Sequence, residues 1–334
     1  MTNKLMALIT LTSLLLVSCS SEAEEMTPVS QDAILATFDG RIDLENLPNY
    51  ANQEIPNYIN DDNTATNFIT DGGVVLGRVL FYDKNLSIDN TVSCSSCHQQ
   101  SFAFSDPDAA STGVNGTTGR HSMRLINARF ADGDNFFWDE RANTLELQTT
   151  MPIQDHVEMG FSGEDGNEDI QGLCDKMETI DYYNELFTFV YGDSEVTEKR
   201  MQLALAQFIR SIQSFDSKYD AGRSQVADED HNFPNFTDQE NKGKELFSDR
   251  PEFNNPAGEA NGPFMHTGFS VDFEDVLDHY NNIPDVVGLD RRLNPQGNPQ
   301  NLAMTQEEKE AVIAFIKTLG GTDVYTNEKW SDPF

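Results

Sequence analysis

The chain has 334 residues, more than one hydrophobic core ordinarily serves, so two domains of usual size are expected. Its 22 Lys and Arg stand against 56 Asp and Glu, a formal net charge of -34 that repels phosphate backbones and argues against nucleic acid as a ligand. Such acidity serves a solvated surface, and it favours a basic partner.

At the start, Lys4 precedes the apolar stretch from Leu5 to Val17, too short to span a bilayer, and residues 1–18 read as an export signal peptide. Leu16-Val17-Ser18-Cys19 matches a lipobox. The expectation is a lipoprotein anchored through the Cys19 thiol, periplasmic or outer-membrane associated, held on a membrane without crossing it. Residues 19–71 are polar and punctuated by proline, which predicts a tether and an irregular lead-in.

Regular structure is expected from Gly72. The run Gly77-Arg78-Val79-Leu80-Phe81-Tyr82-Asp83 recurs weakly as Gly243-Lys244-Glu245-Leu246-Phe247-Ser248-Asp249, and only the first copy is followed by a cysteine pair. Turn residues crowd the stretch from Asp106 to Arg120. Met201, Ala204, Leu205, Phe208, Ile209 and Ile212 share one helical face. Near the end, Thr305 and Glu308 form a capping box ahead of Val312, Phe315, Ile316 and Leu319, and Gly320-Gly321 stops that helix. Strand-like alternation is scarce, so the fold class is all-α with long loops, divided into residues 72–192 and 193–334.

The most specific motif is Cys94-Ser95-Ser96-Cys97-His98. Two thiols at this spacing can each add to one vinyl group of a porphyrin, and the following histidine then lies beneath the iron as its proximal ligand. A zinc site would need four ligands, and no second cysteine pair is present. A redox disulfide needs no adjacent histidine and ordinarily comes on a βαβ frame. Cys174 is left over and reads as a lone, packed thiol.

Around this motif the chain resembles the di-haem cytochrome c peroxidases and their MauG-type relatives. The matching stretches include Leu76 to Asp83, Val92 to His98, Phe102-Ala103-Phe104, Phe137-Trp138-Asp139-Glu140-Arg141, Leu145 to Gln148, Met151-Pro152, Glu158-Met159-Gly160, Phe264-Met265-His266 and Phe273 to Tyr280. The resemblance implies two cytochrome c-like helical domains and reduction of hydrogen peroxide at the N-terminal haem. It implies His98 as proximal ligand, Glu158 and Gln148 as distal-pocket residues beside Pro152, and Trp138 as the tryptophan lying between the family's two haems. Tyr280 falls where the family places the distal ligand of its second haem.

The second half carries no CxxCH, so one covalently attached haem c is expected, in the N-terminal domain alone, and Tyr280 becomes a packed aromatic. The loop from Gly113 to Arg120, where many family peroxidases hold a switchable distal histidine, has none. The family's interdomain calcium loses an asparagine to His121, with carbonyls of Asn261 and Pro263 still available to a hard cation. Glu158 is the candidate proton shuttle, Gln148 its orienting partner and Trp138 the candidate radical site. Electrons would come from a small, basic redox protein. The alternative is a lipid-anchored mono-haem electron-transfer cytochrome, its iron closed by His121, Met123 or Met159.

Overall fold

The computed structural model describes residues 30–131, 135–248, 262–289, 293–294 and 297–334. The signal peptide, Cys19 and Asn261 lie outside them. The described residues form helices α1 (Asp32–Phe38), α2 (Asp71–Tyr82), α3 (Cys94–Cys97), α4 (Leu145–Gln154), α5 (Ile170–Glu178), α6 (Asp181–Tyr191), α7 (Glu198–Ser211), α8 (Lys218–Arg223), α9 (Asp238–Ser248), α10 (Phe273–Asn281) and α11 (Gln306–Ile316). Regular β structure among them is one antiparallel pair, β1 (Thr112–Gly113) with β2 (Gly116–Thr117). The fold is all-α, as the scarcity of alternation implied.

Two helix crossings organise it. Helix α2 starts where the Thr70 hydroxyl accepts the Gly73 N–H at 3.1 Å, and it is buried from Gly73 to Tyr82. It crosses α7 so closely that a Cβ on Gly77 would lie 2.0 Å from the Ala204 carbonyl oxygen and 2.8 Å from the Phe208 Cβ. The second half repeats this contact. A Cβ on Gly243 of α9 would lie 1.9 Å from the Ala311 carbonyl oxygen of α11 and 2.9 Å from the Phe315 Cβ. The weak sequence repeat at Gly77 and Gly243 is therefore a repeat of packing: glycine is needed where two helix backbones touch.

This pairing crosses the expected division between residues 192 and 193. Helix α7 lies beyond residue 192, yet Met201, Ala204, Leu205 and Phe208 belong to the same core as Val74, Leu80 and Phe81 of α2. Helix α2 also meets α3 and α6, and α7 is the partner it packs against most extensively. The second half keeps smaller cores, built on Leu277, Met304 and Val312 and on Phe233, Phe236 and Phe315.

The lead-in is more ordered than its composition implied. Ile34 and Phe38 of α1 and the ring of Tyr50 are fully buried in the first core. Chain-terminal residues join them from the far end. The Tyr82 hydroxyl donates to the Trp330 carbonyl at 2.7 Å, Arg78 Nε donates to the Ser331 carbonyl at 2.6 Å, and the Tyr50 hydroxyl donates to the Lys329 carbonyl. Helix α11 packs on α9, and the segment after it, carrying Val324 and Trp330, returns to the first core. A buried ion pair fastens α7 to α4: Arg210 bonds Glu146, which also accepts from Asn67 Nδ2 at 2.8 Å.

Candidate functional site

The cysteine motif is a single helical turn. Ser93 caps α3 in a box with Ser96, whose hydroxyl accepts the Ser93 N–H at 3.0 Å, and the His98 N–H donates to the Cys94 carbonyl at 2.9 Å. Winding the chain once brings both thiols and the imidazole to one place. The Gln99–Ser105 bridge then folds the next six residues back, with Ala103 and Phe104 both at φ 57°. That turn sets the Phe104 carbonyl 3.0 Å from His98 Nδ1, so Nδ1 carries the proton and donates, and Nε2 keeps its lone pair.

Burial holds the His98 imidazole below its ordinary pKa, partly opposed by the nearby Phe104 and Met123 carbonyls, so the ring is neutral and fit to ligate a metal. Burial also pushes the Cys94 thiol up to about 12 and the Cys97 thiol up to about 11, with the Glu158 charge adding to both. Both cysteines are free. Among the described residues no group of three or more His, Cys, Asp and Glu could hold a lone metal ion. Two reduced thiols and an oriented neutral imidazole, bedded on Phe81 and Phe104, fit a covalently held haem.

Glu158 follows α4 in a tight turn. The Asp155 carboxylate accepts the backbone N–H of Val157 at 2.8 Å and of Glu158 at 3.0 Å. The β1–β2 hairpin clamps the other side: Val114 N–H donates to the Glu158 carbonyl at 3.0 Å and Asn115 N–H to the Val157 carbonyl at 3.1 Å. A Cβ on Gly113 would lie 2.1 Å from the Val157 carbonyl oxygen, so no larger residue permits this approach. The loop without a histidine therefore positions the glutamate backbone. Burial pushes the Glu158 carboxyl up to about 7, helped by the Asp155 charge and opposed by Arg141.

Gln148 and Pro152 stand four residues apart on α4, hence on one face. Pro152 has no N–H to give the Gln148 carbonyl, so the helix ladder is interrupted at this point. Glu146, on the same helix, turns to Arg210 and serves the framework.

Trp138 sits at the junction of the two halves. Its indole N–H donates to the His121 carbonyl at 2.8 Å, the His121 N–H donates to the His266 carbonyl at 3.0 Å, and the Trp138 and His266 rings meet edge to face with centroids 6.3 Å apart. The loops carrying these two rings are copies of each other. Phe136 bridges Ala142 and Phe264 bridges Ser270, with positive φ at Phe137 and Glu140 in one loop and at Met265 and Gly268 in the other. Each loop leads into a capped helix, α4 or α10.

The remaining candidates are dispersed. His121 is buried with Nδ1 3.0 Å from the Asp108 carbonyl and Nε2 3.2 Å from the Ser105 hydroxyl. Met159 is buried in the first core, and Met123 is partly exposed. Tyr280 packs against the Leu277, Met304 and Val312 core of the second half. Pro263 is buried. Cys174 is buried and its thiol is pushed up to about 11. Sequence reasoning missed Phe104 as the partner of His98, and Asp155 and Arg141 as the charges around Glu158. Asp155 was findable from its spacing, since an aspartate three residues ahead caps a turn through its side chain.

Residues 71–227 match the family model of di-haem cytochrome c peroxidase. The chain is 27% identical over 296 residues to the methylamine utilization protein MauG of Methylorubrum extorquens, covering 76% of this chain and 79% of that protein. It is 32% identical over 147 residues to the cytochrome c551 peroxidase of Nitrosomonas europaea, covering 43% and 41%. Among solved structures, a MauG-like protein associated with microbial copper homeostasis superposes with a TM-score of 0.66 at 22% identity, covering 84% of this chain and 99% of the other. The Y463M variant of the diheme peroxidase BthA from Burkholderia thailandensis gives 0.61 at 18%, covering 80% and 90%.

Proposed function

Because residues 71–227 match the family model of di-haem cytochrome c peroxidase, we propose that this protein is a peroxide-reducing oxidoreductase working with one haem c, held by Cys94, Cys97 and His98. Haem c, when bound, supplies the redox-active iron that passes electrons to hydrogen peroxide. The balance is one peroxide, two electrons and two protons to two waters.

The chain's own contribution is positional and acid–base. His98 Nδ1 is fastened to the Phe104 carbonyl, so Nε2 is presented in one orientation. The Glu158 carboxylate takes the proton from one peroxide oxygen and returns it to the other, the leaving oxygen, in the same pocket. A group that must do both works best with its pKa near the working pH, and burial lifts Glu158 to about 7. That carboxyl, whose charge adds to the effect of burial on both haem-binding thiols, is the observation that carries the reading. Gln148, on the α4 face shared with Pro152, orients peroxide through its amide. Trp138 is the side chain that gives up the second electron needed by peroxide, and the donor protein replaces that electron.

The electron donor is a small basic redox protein, drawn by the charge of -34. The protein is an exported lipoprotein anchored through Cys19, at the periplasm or outer membrane. No helix among the described residues is long and apolar enough to cross a membrane. The test is the ferric absorption spectrum of the purified holoprotein with and without peroxide. A high-spin spectrum that changes on adding peroxide, with turnover on a small reductant, is expected. A low-spin spectrum indifferent to peroxide would replace this function with electron transfer.

A further inference from the structure

Trp138 has a route to the surface that runs through the second half. Its ring edge meets His266, which is exposed, and burial, with His266 nearby, holds the His279 imidazole below its ordinary pKa. Beside them the loop after His266 presents an apolar spot: Phe269 is 55% exposed, Val271 is 69% exposed, and the Phe269 ring meets His279 at 5.7 Å. The first turns of α10 place Asp272, Glu274, Asp275 and Asp278 on the surface next to that spot. Lys309 pairs with Asp278 at 2.7 Å and with Glu274 at 3.6 Å, leaving the local charge net negative.

A small exposed apolar centre beside like charges is the form that short-lived redox encounters take, where charge steers approach and the apolar centre fixes orientation. Here it sits at the outer end of a ring contact whose inner end is Trp138. Electron tunnelling falls steeply with the gap, so a donor seated on this spot is better placed than one elsewhere on the acidic surface. Gly268 fixes the loop: its φ is 63°, and a Cβ there would lie 2.6 Å from Ala109 Cα in the first half. The spot and the haem-bearing half are thereby held together.

We infer that Phe269, Val271 and the acidic start of α10 form the docking surface for a lysine-rimmed one-electron donor protein, with His266 as the positioning residue that carries the contact inward to Trp138. In each encounter the donor would lose one electron, which the haem that Cys94, Cys97 and His98 would hold would take up. The inference uses the proposed function for the haem that receives the electron, but it needs no peroxide.

The experiment uses holoprotein and a basic, lysine-ringed cytochrome c as probe. The oxidised probe is titrated calorimetrically at low and high salt, and the reduced probe is mixed with ferric holoprotein by stopped flow without peroxide. Val271→Lys and Asp275→Lys, both at exposed positions, should each weaken binding about tenfold at low salt, with binding fading as salt rises. His266→Ala should bind as before but accept electrons about tenfold more slowly, and His266→Phe should restore the rate by restoring a ring. Reduction by hydroquinone should be unchanged in all four. Undiminished binding in both lysine variants, or an unaltered rate in His266→Ala, would overturn the inference. Peroxide turnover with hydroquinone is scored separately, so a failed peroxidase reading and a failed docking surface give different results.

Discussion

Replacing Glu158 with glutamine removes the proposed proton shuttle and keeps the shape. In the wild type the carboxyl is raised from 4.5 to about 7 by burial and by Asp155. That displacement is about 3 kcal/mol against the ionised form in the folded state, an upper figure because water reaches this half-buried side chain. A folded state that holds a proton more tightly than the unfolded chain loses stability as pH rises between those two values. Wild-type holoprotein should therefore melt lower at pH 8 than at pH 5 by this contribution, whereas Glu158→Gln should lack it and be the more stable of the two at pH 8. Catalysis should move the opposite way. The wild-type rate of peroxide turnover should rise with pH through about 7 as the base form appears, and Glu158→Gln should be slower by about 10²–10⁴ with no inflection there. Thermal melts at both pH values and stopped-flow peroxide kinetics across the range check both halves. A glutamine variant with the wild-type rate and pH profile would refute the shuttle, even if its melting behaved as expected.

Haem counting by pyridine haemochrome should give one haem per chain, and Cys94→Ala with Cys97→Ala should abolish covalent attachment, visible as haem lost from a denaturing gel. Trp138→Phe should keep haem loading and reduce both peroxide turnover and any protein radical seen by electron paramagnetic resonance, since it preserves the ring but not the indole. Gly77→Ala should destabilise the first half by about 2–3 kcal/mol, read by denaturant unfolding, because its methyl group meets the Ala204 carbonyl at 2.0 Å. Glu146→Gln should cost about 3–5 kcal/mol by the same measurement, because it leaves the Arg210 charge buried without its counter-ion.

Several features were legible in the chain alone because they are local. The haem motif is five consecutive residues, and its geometry is one helical turn with a serine cap, which needs no distant contact to form. The α7 face and the α11 capping box follow from spacing along one helix. The all-α class follows from periodicity in the same way. Even the weak repeat at Gly77 and Gly243 marked a true equivalence, because a glycine forced by helix–helix contact leaves a trace at a single position.

What the chain did not disclose depends on residues far apart in sequence. Nothing local says that α7 packs with the first half; that follows from Met201, Ala204, Leu205 and Phe208 being buried in one core with Val74, Leu80 and Phe81 of α2. The lead-in looked irregular because α1 is short and draws its stability from burial of Ile34 and Phe38 rather than from its own hydrogen bonds. His121 could be nominated as an iron ligand from its residue type, and only the folded chain shows its nitrogens beside the Asp108 carbonyl and the Ser105 hydroxyl. The acidity of Glu158 is likewise tertiary. A glutamate in sequence titrates near its ordinary value, and it takes burial beside Asp155, under a hairpin that only glycine at residue 113 admits, to hold it near 7. Sequence by itself determined which groups could hold a haem, because that chemistry is covalent and contiguous. The tertiary structure decided which carboxyl is raised toward neutral pH, because desolvation and neighbouring charge exist only once the chain is packed.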